Sequence, residues 1–176
     1  MSVNLFESIQ AEYFIFGAIA TSYWGYPRFT RDVDIIFRTD ENEFDALLEK
    51  ARELGFNFDA AQALGKLENS KVARLKYSDY HVDLVVGESF FDHSAFQRKV
   101  KVRLFNRDIY VASAEDIILY KLVSSRRQDL ADIEKIILAN REPLDRQYLF
   151  AMAEKLAKEL GMPHIRETLI HFLEAL

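Results

Sequence analysis

GYPRFTRDVDIIF, residues 25–37, places two aspartates, Asp32 and Asp34, at the mouth of an otherwise apolar strand. Side chains two apart on a strand leave on the same face, so the two carboxylates lie roughly 6.6 Å apart along the chain and can converge on one point. Val33, Ile35 and Phe37 then face the other way, into the core. Like charges beside a hydrophobic interior repel and lose hydration, and a divalent cation is the usual remedy. Oxygen-only ligands in a chain without cysteine favour a hard ion, Mg²⁺ or Mn²⁺, over zinc.

The same oddity recurs in YHVDLVVGESFF, where Asp83 stands among Val82, Leu84, Val85 and Val86. If this strand pairs beside residues 33–37, Asp83 completes a three-carboxylate site able to hold two metals about 3.5–4 Å apart, which suits in-line phosphoryl chemistry. His81 shares the Asp83 face. Other pairings remain open: Asp32 with Arg28 or Arg31, Asp83 with Lys76 across a hairpin, and His81 as an ordinary strand residue. Upstream, Phe16, Gly17 and Ala18 end an apolar run and open a helix, which offers backbone N–H groups and a positive dipole end to an anion.

Around these motifs the chain changes character near Ser113. Before it, YFIF (13–16), a helical AIATSYW and VDIIF (33–37) precede Asp40, a candidate N-cap for a helix with Phe44, Leu47, Leu48 and Leu54 on one face and Gly55 as its stop. KVARLKY and YHVDLVV flank Ser78 and Asp79, and VKVRLF and DIYVA flank Asn106 and Arg107, as in hairpins. After Ser113 the pattern is helical throughout, with Gly161 closing a long segment from about Leu144. These readings predict an α+β chain: a mixed sheet flanked by helices over residues 1–112 and a helical part, 113–176, packed on it.

The composition is that of a structured globular protein: 176 residues, 49% hydrophobic, with only 6 Gly and 3 Pro. Zero cysteines exclude disulfides and thiolate chemistry, and a net charge of −5 gives no global attraction to nucleic acid or anionic lipid. With no leader-like start and no long apolar run, the expected setting is cytoplasmic, with no membrane association.

Taken together, FGAIATSYWGYPRFTRDVDIIF and HVDLVV resemble the nucleotidyltransferase superfamily of DNA polymerase beta type. Gly17 and Ala18 match its glycine turn, Asp32 and Asp34 its paired acids, and Asp83 its third acid. A narrower resemblance, carried also by ASAEDIILYKLVSSRRQDLADIEKII at 112–137, is to small bacterial and archaeal nucleotidyltransferase-like proteins related to abortive-infection and toxin/antitoxin enzymes. The resemblance implies the nucleotidyltransferase fold and transfer of a nucleoside monophosphate from a nucleoside triphosphate (NTP) to an acceptor hydroxyl on RNA, protein or a small molecule. It implies Mg²⁺ or Mn²⁺ on Asp32, Asp34 and Asp83, and nucleotide contacts from Gly17, Ala18, Arg28, Thr30, Lys121, Arg126 and Asp129. Ala18 departs from the usual Gly or Ser, which supports an alternative: a catalytically weak, antitoxin-type binder acting through a protein or RNA partner.

Lys121 also has a reading of its own. It follows Ile117 and Ile118 on the inward face of its helix, where a lysine needs a charge to meet. A triphosphate supplies one; otherwise Lys121 snorkels outward and Asp129 caps the next helix, with Asp132 in its first turn. Lys99, Lys101 and Arg103 form a basic strip opposite Val100, Val102 and Leu104, suited either to an RNA backbone or to a solvated strand face. Ile165, Leu169, Phe172, Leu173 and Leu176 mark a terminal helix that covers the sheet or forms a homodimer face.

Overall fold

The computed structural model of the chain describes residues 2–104, 106–140 and 144–175. It is α+β, and two compact units divide it: residues up to Ile19 with Phe29–Val111, and Ala20–Arg28 with the chain from Ala112 on.

The first unit carries one mixed sheet. Its strands are β1 (Glu12–Phe16), β2 (Asp32–Arg38), β3 (Val72–Tyr77), β4 (Tyr80–Val86), β5 (Val100–Leu104) and β6 (Arg107–Val111), in the order β3-β4-β2-β1-β6-β5. β2 runs parallel to β4 and antiparallel to β1, so the strand with the paired acids is interior. Ile35, Ile36 and Phe37 are all buried, so strict alternation holds only at the acidic end of β2. The Ser78–Asp79 turn closes the first anticipated hairpin, with Ser78 in the left-handed region; in the second, Asn106 is left-handed but Arg107, expected in the turn, is the first residue of β6 and pairs with Leu104.

Helices α1 (Ser2–Ser8), α2 (Gly17–Trp24), α3 (Phe44–Glu53), α4 (Ala60–Ser70) and α5 (Phe90–Arg98) accompany the sheet, α2 running on into the second unit. Phe44, Leu47 and Leu48 are buried as expected, joined by Ala51 where Leu54 is only half-buried. Asp40 precedes a single 3-10 turn, Glu41–Glu43, which leads into α3. α1, α4 and α5 went unread in the sequence. For α5 the signal was there: the Ser89 hydroxyl accepts from the Asp92 N–H while the Asp92 carboxylate accepts from the Ser89 N–H, a capping box spelled by the sequence.

The second unit is helical: α6 (Ala114–Ser124), α7 (Arg127–Ala139), α8 (Arg146–Leu160) and α9 (His164–Ala175). Ser113 caps α6 and Gly161 ends α8 in the left-handed conformation. Ile165, Leu169 and Leu173 of α9 are buried, Phe172 is half-buried, and α9 packs against α6, α7 and α8. Leu176, assigned to the same face, and Phe105, assigned to a strand, lie outside the described residues. Trp24 belongs to this unit through its indole N–H, which donates to the Ala112 carbonyl at 2.8 Å. Among the described residues no helix is long and apolar enough to cross a membrane.

The basic strip divides. Lys99 is not in a strand: it ends α5, and its ammonium pairs with Glu12 at 2.7 Å over the Tyr110 and Phe96 rings. Lys101 and Arg103 lie on β5, an edge strand, where both reach Asp108 across the hairpin at 3.4 and 3.3 Å. Mutually paired charges on an edge strand are what discourages edge-to-edge association.

Candidate active site

Parallel pairing of β2 with β4 sets Asp34 opposite Asp83 and Asp32 opposite His81, so the three acids share one sheet face at neighbouring positions. Each carboxylate has a partner within the chain. Asp32 lies 3.5 Å from His81 Nδ1, and its N–H donates to the Thr30 hydroxyl at 3.1 Å, which orders the approach to β2. Asp34 accepts from the Ala18 N–H. Asp83 is gripped by Arg74 of β3, with Nε and a terminal guanidinium nitrogen each 2.6 Å from a separate carboxylate oxygen.

Asp83 therefore pairs with Arg74, not with Lys76, which stands opposite His81 instead. The two-residue turn dictates this. Counting outward from Ser78 and Asp79 puts Arg74 opposite Asp83, so the pairing was available from the sequence once the hairpin was recognised. Asp32 likewise pairs with neither Arg28 nor Arg31 in the ion pairs described.

Burial pushes the Asp34 carboxyl above its ordinary range, and the charges of Asp83 and Asp32 push it further; the Ala18 N–H and Arg74 oppose them. Arg74 is held still more firmly protonated than an ordinary arginine, first by its bond to Asp83 and also by the charges of Asp32 and Asp34. One guanidinium thus faces all three acids.

Gly17 explains how the turn and the acids fit together. Its φ is +60°, and a Cβ built there would lie 2.6 Å from Asp34 Cγ and 2.9 Å from Asp34 Cβ, so the turn closes onto Asp34 only without a side chain. The Ala18 side chain is buried, and what that position offers to the site is its N–H.

The carboxylate set has the donor chemistry of a hard-cation site, and a cation there would offset both the burial and the neighbouring charges of Asp83 and Asp32 that raise the Asp34 carboxyl. The arrangement is nevertheless not ready-made: among the described residues no group of three or more His, Cys, Asp or Glu is gathered closely enough to hold a metal ion. Arg74 is the positive charge bonded to the site, with Lys76 on the same face opposite His81. The large cleft of the first unit, about 640 Å³, is lined by Glu12, Arg38, Asp40, Glu43, Glu88 and His93 among others, at the end of β2 away from the acids.

The remaining candidates gather in the helical unit. Lys121 is buried, and its ammonium binds Asp132 at 2.8 Å and Asp129 at 3.1 Å. Lys121 therefore neither snorkels to solvent nor lacks a charge. Asp129 is not the N-cap of α7, which is Arg126; it sits in the first turn, where its carboxylate accepts from Ser124, Arg126 and Lys121. Although burial works to raise it, these donors hold the Asp129 carboxyl down at about 2. Asp132 also accepts from Gln128, and Arg28 approaches it at 3.6 Å. Lys121, Arg126, Asp129 and Arg28 thus form one network, to which the sequence reading had not joined Asp132, Ser124 and Gln128.

Comparison with known proteins agrees with this architecture. Among solved structures, the lincosamide antibiotic adenylyltransferase LnuA in its lincomycin-bound form is 16% identical with a TM-score of 0.55, covering 77% of this chain and 91% of that one. The antibiotic-resistance factor ANT(2'')-Ia is 15% identical with a TM-score of 0.56, covering 92% and 91%. An antigenic nucleotidyltransferase-like protein from Paracoccidioides brasiliensis is 15% identical with a TM-score of 0.50, covering 95% and 89%. At these identities the likeness is one of fold. No curated protein matches the sequence significantly. Residues 4–169 match a family profile, and with the acids, the glycine turn and the sheet order in place, the chain belongs to the family described as nucleotidyltransferase of unknown function (DUF6036).

Proposed function

We propose that this protein transfers a nucleoside monophosphate from an NTP to an acceptor hydroxyl and releases pyrophosphate, using a divalent cation. The observation that carries the reading is the pairing of Asp34 with Asp83 across β2 and β4, with Asp32 on the same face beside the Gly17 turn. Asp32 and Asp34 are the residues to hold Mg²⁺ or Mn²⁺ and through it the nucleotide, and Asp83 completes the site. A cation there would neutralise charge on the transferred phosphoryl group and acidify the acceptor hydroxyl. The acceptor oxygen bonds to the α-phosphorus, the bond to the pyrophosphate leaving group breaks, and Asp83 helps take up the hydroxyl proton. Gly17 and Ala18 form the turn at the start of α2 that would receive the leaving phosphates, its Ala18 N–H also holding Asp34.

In this reading Thr30 fixes the loop before β2, while Lys121 and Asp129 neutralise each other within the helical unit, in a charge network that Arg126 and Arg28 also join. The structural neighbour named as a lincosamide antibiotic adenylyltransferase makes a small molecule the first acceptor class to test, ahead of RNA or protein. A second reading, a weakly catalytic binder acting through a partner in the manner of an antitoxin-type protein, is favoured by the grip of Arg74 on Asp83.

Calorimetric titration of the four NTPs, with and without Mg²⁺, on the wild type and on Asp34→Asn distinguishes these. Metal-dependent binding that the variant loses is the expected outcome. No binding under any condition would sink the transferase reading and leave the partner-binding one.

A further inference from the structure

Arg74 is the cation paired directly with an acid of the proposed site, so its charge opposes the site's proposed use. It is placed by the hairpin register, not by a chance rotamer: β3 and β4 set it directly opposite Asp83, and both oxygens of that carboxylate are taken by its planar fork. Its side chain is 56% exposed and that of Asp83 18%, so the pair opens toward solvent and can separate without unpacking the core. Three carboxylates stand against the Arg74 guanidinium and, opposite His81 on the same face, the Lys76 ammonium, so the face keeps a net negative charge. That is enough to attract a divalent cation, but the guanidinium already holds the oxygens of the third acid and repels a second positive charge beside it.

We propose that Arg74 keeps Asp83 in reserve, yielding it when a divalent cation and an NTP arrive together, and that the released guanidinium then pairs with the phosphates of that nucleotide. The inference rests on the transferase reading of the acidic face. Its chemistry is an exchange of partners: Asp83 trades a guanidinium for a metal, and Arg74 trades a carboxylate for a phosphate, for which its forked donors are equally suited. Metal alone must displace Arg74 with nothing to receive it, whereas metal with a triphosphate supplies both new partners. Binding of metal and nucleotide is therefore coupled through this side chain.

The test is Mn²⁺ titration followed by electron paramagnetic resonance of the free ion, on wild type, Arg74→Met, Arg74→Lys and Asp34→Asn. Each is measured with and without the α,β-methylene analogue of ATP, with a thermal melt confirming that each is folded. Arg74→Met is expected to bind Mn²⁺ alone on the order of tenfold more tightly than wild type, and to lose most of the gain in Mn²⁺ affinity that the analogue confers on wild type. Arg74→Lys keeps the charge without the fork; it is expected to fall between them, and it carries the test if the methionine variant does not fold. Equal Mn²⁺ affinity in wild type and both Arg74 variants, with binding abolished in Asp34→Asn, overturns the role of Arg74 while the metal site stands. No Mn²⁺ binding by any protein, with or without analogue, overturns both this inference and the transferase reading.

Discussion

Replacing Gly17 by alanine tests the packing that joins the turn to the acids. Two costs follow from the geometry. A non-glycine residue at φ +60° is strained by roughly 1–2 kcal/mol. The new Cβ would stand 2.6 Å from Asp34 Cγ, so the carboxylate must move and give up its hydrogen bond from the Ala18 N–H, a charge-assisted bond worth roughly 1.5–3 kcal/mol. The sum, about 2.5–5 kcal/mol, should lower the melting temperature of a chain of this size by about 10 °C. Thermal melts by circular dichroism measure it, and a double-mutant cycle isolates the cause. In an Asp34→Ala background the carboxyl group is gone and only a 2.9 Å Cβ contact remains to relax, so Gly17→Ala should there cost about 1–2 kcal/mol, the backbone strain alone. If the substitution costs the same in both backgrounds to within about 0.5 kcal/mol, Asp34 is not what the glycine makes room for, and the account of this turn fails.

Two further predictions concern the helical unit. Lys121→Met keeps much of the side-chain volume but strips the buried Asp129 and Asp132 of their shared ammonium. It should cost roughly 3–5 kcal/mol and about 10 °C in melting temperature without any nucleotide present, and an unchanged melt would show that the lysine is not structural. Because the Asp129 carboxyl is held below its ordinary value, its pairing stabilises the fold fully above about pH 4 and is lost as pH falls through about 2. Acid titration of wild type against Asp129→Asn should show the variant less stable at neutral pH, with the difference closing over that window; a difference independent of pH would contradict the assignment.

What the sequence by itself determined is what local periodicity and turn chemistry encode. The acids alternate with apolar residues on β2 and β4, Gly17 follows an apolar run, the β3–β4 hairpin closes on a two-residue turn, and Ser113 announces α6. Each of these signals spans a few residues, so no distant partner is needed to read it. The pairing of Arg74 with Asp83 belongs to the same class, since a two-residue turn propagates its register along both strands.

The tertiary structure alone decided that β4 lies parallel beside β2, because a parallel pair is joined through a long connection that carries no register information in the chain. That placement turns two separate oddities into one acidic face, and it sets the charges of Asp83 and Asp32 against Asp34, raising its carboxyl further beyond what burial does. The fate of Lys121 was decided in the same way. An inward lysine announces that it needs a counter-charge, but whether a ligand or the protein supplies it depends on how α7 folds back. There Asp129 and Asp132, eight and eleven residues on, come within 3.1 and 2.8 Å of the ammonium.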